Sequence, residues 1–579
     1  MGIYKKLFGY APEKAGFGFA AVVLSAVSSV ILMLPFWYLW KFLFALSVHG
    51  DTSEARFYAL RITALLIANI CVYFAGVMCS HILAFRLESN LRKEGTKHLM
   101  NASFSFFDTN SSGKVRKLID DNAAQTHMIV AHLLPDITGT ILTPILMFGV
   151  VFAVDVQLGI LLSAVSLIAL VLMRTMFGDR NFMSAYMKSL DVLNAEAVEY
   201  VRGMQVIKIF RTTIDSYKTF YNSIKEYSRM VFRYSMSCRR GYVLFQIILN
   251  LFVTFTIPFA IVYMNKGESD AVILAKIIFF ACFAGILFMA FMKTMYVGMY
   301  QFQAKTVVEQ LEGLFKSMEE KKLVRGGEME FSNYNIEFKD VSFKYEDTFV
   351  IRDLSFALDE GKTYALVGSS GGGKSTIAKL ISGFYSIDGG HILIGGKDIT
   401  SYTEEALTKN VAFVFQNAKL FSASIFENVK IAKPDATDEE VMEALRLAQC
   451  GDILNKFKER EHTLIGSHGV HLSGGEIQRI AIARVILKNA KVVILDEASA
   501  AADPENEFEI QKAFSNLMKG KTVIMIAHRL SSIRGADEIL VIENGRIIER
   551  GSDGELMAAG GKYKALQDLY AKANDWRVA

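Results

Sequence analysis

The stretch Gly368-Ser369-Ser370-Gly371-Gly372-Gly373-Lys374-Ser375 sets four glycines, three serines and one lysine in a row. Glycine lets a backbone curl so that successive N–H groups point inward, and a helix N-terminus just beyond adds the positive end of its dipole. Such a cradle suits a chain of phosphates. Lys374 is placed to reach the β- and γ-phosphates of a nucleotide, and Ser375 to set a hydroxyl on Mg²⁺. The flanks are those this chemistry requires: Tyr364-Ala365-Leu366-Val367 reads as a buried strand, and residues 376–381 read as an apolar helix. A glycine turn that merely joins two elements has no use for the lysine and serine at its end.

A second pair of chemical residues closes another strand. Val492-Val493-Ile494-Leu495-Asp496-Glu497 is apolar up to its two carboxylates. Asp496 fits the holding of a Mg²⁺ shell. Glu497 is one residue further on, points elsewhere, and fits the polarisation of a water. Two acids at a strand end also serve solubility alone; the phosphate loop upstream favours the chemical reading. Between the two lies Leu472-Ser473-Gly474-Gly475-Glu476. There small residues open a helix and again offer N–H groups to an anion.

These residues need a sheet to carry them. Residues 335–356 alternate like paired strands, most clearly over 339–344 and 351–356, and the chain beyond about Gln301 reads as an ordinary α/β protein. Before it the chain is different. With 579 residues the protein is too long for one core, and its 52% apolar and 21% charged residues are unevenly spread. Six apolar runs, 17–46, 57–85, 129–153, 158–177, 243–264 and 272–297, are each long enough to cross a bilayer, where only a helix satisfies its own peptide groups. The expectation is an all-α six-helix transmembrane domain over 1–310, a linker over 311–334, and an α/β P-loop NTPase domain over 335–579. The third and fourth runs are separated only by a turn at Asp155 and form a hairpin.

Orientation follows the basic residues. Arg86, Arg92, Lys93, Lys97, Lys114, Arg116 and Lys117 follow the second run, and Arg180, Lys188, Arg202, Lys208, Arg211 and Lys218 follow the fourth. The other connections are short and nearly free of Lys and Arg. The positive-inside rule puts both long loops and both termini in the cytoplasm. The helices are expected to continue beyond the bilayer into those loops. Two loop stretches, 106–114 (Phe106-Phe107-Asp108-Thr109-Asn110-Ser111-Ser112-Gly113-Lys114) and 199–210 (opening Glu199-Tyr200-Val201-Arg202-Gly203), are either plain turns or contacts to the nucleotide half.

With these motifs in this order, the sequence resembles the ATP-binding-cassette (ABC) transporter family, over essentially the whole chain. Leu472 to Glu476 is close to that family's signature, which usually ends in Gln. The resemblance implies that Gly368, Ser369, Gly371, Gly372, Gly373, Lys374, Ser375 and Thr376 hold the phosphates of ATP. It implies that Tyr345 stacks on the adenine, and that Ser473, Gly474 and Gly475 clamp ATP held by a second chain. Gln416, in Val414-Phe415-Gln416-Asn417, matches the glutamine that joins Mg²⁺ and the attacking water to the transmembrane contact. Asp503 matches the aspartate that crosses the dimer interface, and His528, in Ile526-Ala527-His528-Arg529-Leu530, the histidine at the γ-phosphate. Ser467 stands where export-type members often carry Glu, and Ala500-Ala501-Ala502 where Ser-Ala-Leu is usual before the aspartate. Every group needed for hydrolysis is present.

The six-span, single-cassette layout resembles the exporter-type fold, and implies that the two loop stretches are its coupling helices. A weaker resemblance, around Gly113-Lys114-Val115-Arg116 and His132-Leu133-Leu134-Pro135-Asp136, is to bacterial members linked to iron-siderophore uptake. The implied protein is a half-transporter of a bacterial plasma membrane. It dimerises with a second half-transporter, identical or, as favoured here, different. The cargo is a small molecule, lipid, peptide or iron chelate, moved outward or, in the alternative, inward. A regulatory ATPase without transport is the remaining alternative; six spans argue against it. The net charge of +4 does not argue for nucleic acid.

Five scattered cysteines suggest neither a disulfide frame nor a zinc site and are expected to be small buried hydrophobes. The apolar run after the N-terminus is too long for a cleavable signal. Met289, Met292, Met295 and Met299 are spaced as one helical stripe with Lys293 among them. Two readings stay open: a soft cargo-facing surface, or plain packing with Lys293 snorkelling to the interface.

Overall fold

A peptide group inside a bilayer finds no water, so an apolar run that crosses it must close its hydrogen bonds within itself. The computed structural model describes residues 2–176, 182–210, 218–251, 254–320, 322–345, 347–466, 469–496, 504–526, 533 and 535–575. Among the described residues, five helical stretches are long and apolar enough to cross a membrane: Pro12–His49, Thr52–Met100, Ser112–Val154, Val156–Met176 and Asp270–Glu319. The remaining expected run, 243–264, is divided between the helix Lys218–Asn250 and the short apolar helix Thr256–Asn265. The helices Thr52–Met100 and Asp270–Glu319 have 49 and 50 residues. At about 1.5 Å per residue they outrun a hydrocarbon core of about 30 Å more than twofold, so their polar ends project from it.

The hairpin turn is a single residue. Asp155 separates Leu134–Val154 from Val156–Met176, and its Oδ1 accepts from the backbone N–H groups of Gln157 at 2.8 Å and Leu158 at 3.0 Å, capping the second helix. The cysteines correct the sequence expectation. Cys450 is buried, Cys79 and Cys238 are half-buried, and Cys71 and Cys282 are exposed. The last two lie on apolar helices whose outer faces meet lipid or another chain, so an apolar neighbourhood in sequence did not mean a protein interior.

The chain divides into two compact units, residues 1–97 with 113–315, and residues 98–112 with 316–579. In the first, the helices pack around aromatic and aliphatic side chains such as Phe279, Phe280, Phe283, Met147 and Leu162.

In the second unit the strands are β1 Ile336–Tyr345, β2 Thr348–Leu358, β3 Thr363–Val367, β4 Gly389–Ile394, β5 Lys397–Asp398, β6 Val411–Val414, β7 Val492–Asp496, β8 Thr522–Ile526, β9 Glu538–Glu543 and β10 Arg546–Gly551. One sheet, ordered β2-β1-β4-β5, is antiparallel. The other is ordered β10-β9-β3-β8-β7-β6, and all its neighbours are parallel except β10 with β9. Val492 to Leu495 and Tyr364 to Val367 are buried on both faces, which is why they read as unbroken apolar runs. A parallel sheet delivers the loops after its strands to one edge. Here that edge receives the residues after β3 and β6. The 311–334 stretch is partly helical, and its Gly326 N–H donates to the Thr400 carbonyl at 2.7 Å, laying it on this unit.

Candidate functional site

β3 ends at Val367, and the chain reverses into the helix Lys374–Ile381. The reversal depends on glycine at Gly368, where φ is 147° and a Cβ would stand 2.0 Å from the Ile542 carbonyl oxygen. No side chain fits there. Lys374 is buried, and its Nζ donates to the carbonyls of Gly368 at 3.0 Å and Ser369 at 2.7 Å. A cation is thereby held against the loop. Ser375 Oγ donates to Asp496 Oδ1 at 3.4 Å, so the first turn of the helix meets the end of β7.

Tyr345 ends β1 in the antiparallel sheet, yet its hydroxyl lies 3.5 Å from Thr376 Oγ1. Its half-buried ring meets Phe343 and Tyr385 edge-on, with centroids 4.9 and 5.8 Å away. The structure thus brings together Tyr345, the 368–376 loop and Asp496. Gln416 is exposed, two residues past the end of the neighbouring strand β6. Glu497, Asp503 and His528 lie outside the described residues, as does Ser467.

Ser473 and Gly474 are exposed at the start of a separate helix, Gly474–Lys488. The Glu at the end of the signature has a physical reason. Ser473 N–H donates to Glu476 Oε2 at 2.7 Å and Ser473 Oγ accepts from Glu476 N–H at 3.3 Å, which is a capping box. Glu476 is also ion-paired with Lys456. Burial alone would raise its pKa, but Lys456 and the Ser473 N–H outweigh burial and hold the carboxyl below the usual range. The carboxylate points inward, neutralised, and leaves the exposed N–H groups of the helix start to serve an anion.

Sequence reasoning marked the 106–114 stretch but not its partners. In the second unit the short helix Phe104–Thr109 meets two aromatics that follow the helix stop at Gly383. Tyr385 donates its hydroxyl to Asp108 Oδ2 at 2.6 Å, and Phe104 stacks on Phe384 with centroids 3.8 Å apart. Burial and the Asp108 carboxylate both push the Tyr385 phenol up, so it stays a donor. Phe384 in turn stacks at 6.1 Å on Phe415, the neighbour of Gln416. The available signal was the dipeptide Phe384-Tyr385 directly after a glycine stop.

A parallel sheet bearing a phosphate loop, joined to helices that cross a membrane, defines a membrane-bound nucleotide triphosphatase. The chain belongs to the ABC transporter family: residues 351–500 match its ABC transporter model, and residues 18–291 match the ABC transporter transmembrane region. It is 31% identical over 569 residues to an ATP-dependent lipid A-core flippase of Yersinia pestis, covering 96% of both chains. It is 33% identical over 524 residues to the enzyme of that name from Pasteurella multocida, covering 90% of both. It is 30% identical over 554 residues to the mycobactin import ATP-binding/permease protein IrtA of Mycolicibacterium smegmatis, covering 94% of this chain but 63% of that one. The chain therefore spans less than two thirds of IrtA. It is a multi-pass integral membrane half-transporter of exporter-type fold that binds ATP, couples its hydrolysis to transport, and works by dimerising.

Proposed function

We propose that two such halves sandwich ATP between them and move cargo by alternating access. Tyr345 stacks on the adenine, and Gly368, Ser369, Gly371, Gly372, Gly373, Lys374, Ser375 and Thr376 hold the phosphates. Lys374 exchanges the carbonyls of Gly368 and Ser369 for phosphate oxygens. Ser473, Gly474 and Gly475 meet the γ-phosphate of the ATP held by the other chain, and Asp503 crosses the interface. The observation that carries this reading is the approach of Ser375 Oγ to Asp496 Oδ1, 3.4 Å, beside the glycine loop. Two hard oxygens so placed fit Mg²⁺, which prefers small all-oxygen sites, with Gln416 as a third ligand. When bound, the ion neutralises charge on the phosphate oxygens.

The remaining steps belong to side chains. Glu497 takes the proton of the attacking water, and His528 donates to a γ-phosphate oxygen. Gln416 passes the state of the site through Phe415 and Phe384 to Phe104 and Asp108 on the coupling helix. Glu497→Gln keeps the shape of the site and removes its base. ATP binding should persist while turnover falls about 10²- to 10⁴-fold. Wild-type turnover with both sites of the dimer so mutated would refute the assignment.

The cassette and both termini are taken to lie in the cytoplasm of a bacterial plasma membrane, on the strength of the basic loops. A cysteine introduced at Ser269 should be labelled from outside intact cells, and one at Ser112 should not. We read the direction as outward for a drug-like, lipid or peptide cargo, in line with the flippases. Import of an iron chelate is the second reading, favoured by the match to IrtA. ATP-driven flux in vesicles of known orientation decides it, and the mass of the purified complex decides between identical and different partners.

A further inference from the structure

The membrane half contains a cavity of about 960 Å³, walled by the helices Ala15–Phe44, Ser112–Met128, Leu134–Val154 and Asp270–Glu319. Its wall is graded along the helix axes. At one end Gln303 Nε2 donates to Gln125 Oε1 at 3.3 Å. In the middle Lys293 Nζ lies 2.7 Å from Asp136 Oδ1. Beyond the pair, Met292, Met289, Ile286 and Phe36 make a mainly apolar surface that also carries the Thr140 and Thr143 hydroxyls. Along the Asp270–Glu319 helix, Gln303 is roughly 15 Å and Ile286 roughly 10 Å from Lys293. The methionine stripe is therefore graded: Met289 lines the cavity, Met292 both lines it and packs against the helix core, and Met295 packs there without lining it.

Lys293 is paired across the cavity wall, with side chains of Lys293 and Asp136 40% and 33% exposed. An ionisable group in a span is costly unless it is paired or faces a wet cavity. This pair meets both conditions and cancels its own charge. A cargo head with net charge would add an uncompensated charge within the membrane, or take one partner and strand the other. A net-neutral head that accepts from Lys293 and donates to, or balances, Asp136 leaves both satisfied. The methionines beyond suit a flexible apolar body.

Resting on the transport reading above, we propose that the Asp136–Lys293 pair selects cargo by net charge. The cavity takes an amphipathic molecule with an apolar body and a net-neutral, hydrogen-bonding head.

The test uses the complete transporter in lipid nanodiscs at pH 8. ATPase stimulation is measured with three probes of equal chain length: a lysophosphatidylcholine, a lysophosphatidylglycerol and an alkyltrimethylammonium. The wild type should respond to the zwitterionic probe at about tenfold lower concentration than to either charged one, equivalent to about 1.4 kcal/mol. Asp136→Asn should move the preference to the anionic probe and Lys293→Met to the cationic one. Asp136→Asn/Lys293→Met should return it to the zwitterion. A wild-type preference for a charged probe overturns the proposal, as do single variants that keep the wild-type order.

Absence of stimulation by every probe while basal ATPase persists also overturns it. Absence of ATPase from the wild type strikes instead at the transport reading. If the single variants do not fold, Met289→Cys in a background lacking Cys71 and Cys282 decides. Its labelling by a thiol reagent should be slowed by the zwitterion and not by the charged probes. A thiol that no probe protects, or that is unreactive because a helix of the second chain fills the cavity, overturns the proposal.

Discussion

The two halves of this chain carry their polar groups in opposite ways. In the cassette the groups proposed to meet phosphate sit close together in sequence, at 368–376 and 473–475, because a phosphate chain is bound largely by consecutive backbone N–H groups. Its buried cation Lys374 is satisfied by carbonyls five and six residues away. In the membrane half two lysines of the Asp270–Glu319 helix find their partners outside that helix. Lys293 pairs with Asp136, and Lys276 lies 2.8 Å from both Asp155 and Glu268. A ligand that reads backbone leaves a motif; a ligand that reads side chains from several helices leaves none.

Breaking the charges in each half tests this contrast. The largest effect is expected in the membrane half. Lys276 is buried between two carboxylates and lies 4.1 Å over the Tyr263 ring. Lys276→Met should lower stability by about 3 kcal/mol, because it takes the cation away from two half-buried acids. The thermal midpoint of the detergent-solubilised protein reads this, and Lys276→Arg should recover part of it. An unchanged midpoint would make this cluster no more than surface decoration. Next comes Lys374→Ala, which removes charge-assisted bonds worth about 1.5–3 kcal/mol and should weaken ATP binding at least about tenfold. Equilibrium nucleotide titration measures it; unaltered affinity would detach Lys374 from the phosphates.

A smaller effect is expected where the short helix Phe104–Thr109 meets the cassette core. Tyr385→Phe removes the bond to Asp108 but keeps the ring, at a cost of about 1.5 kcal/mol. Basal ATPase should survive while its stimulation by cargo falls. Full stimulation in this variant would show that the Phe104–Phe384 stack suffices. The smallest effect concerns pH. Partial burial acts to raise the pKa of Asp452, but Arg479, which bonds it at 2.7 and 2.9 Å, outweighs that and holds the carboxyl below its usual range. A depressed folded pKa stabilises above the unfolded value of about 3.9 and loses that contribution as pH falls through the folded one. The stability gap between wild type and Asp452→Asn should be present at pH 6 and shrink below about pH 4. A gap that is the same at pH 3 and pH 6 would exclude the ion pair as its source.

Much of the cassette was readable because its signals are local. The phosphate loop lies between a strand and a helix as its composition requires, and Val492 to Asp496 is a strand with buried apolar residues. Five of the six expected spans and the one-residue hairpin at Asp155 were readable for a like reason, since a bilayer demands length and apolarity of each helix separately. Other features came only with the tertiary structure. Cys71 and Cys282 have apolar neighbours in sequence but exposed positions, because a helix in lipid is apolar on faces that no part of its own chain covers. Glu476 at the signature's last position makes sense once Lys456 is seen beside it. Tyr385 and Asp108, and Lys293 and Asp136, are far apart in sequence, and no periodicity within either segment points to the other. Sequence by itself determined which segments are helices, strands and phosphate loop, through backbone chemistry that acts over a few residues. The packing of distant elements decided which side chains meet, because a hydrogen bond or an ion pair forms between atoms within about 3 Å, whatever their separation along the chain.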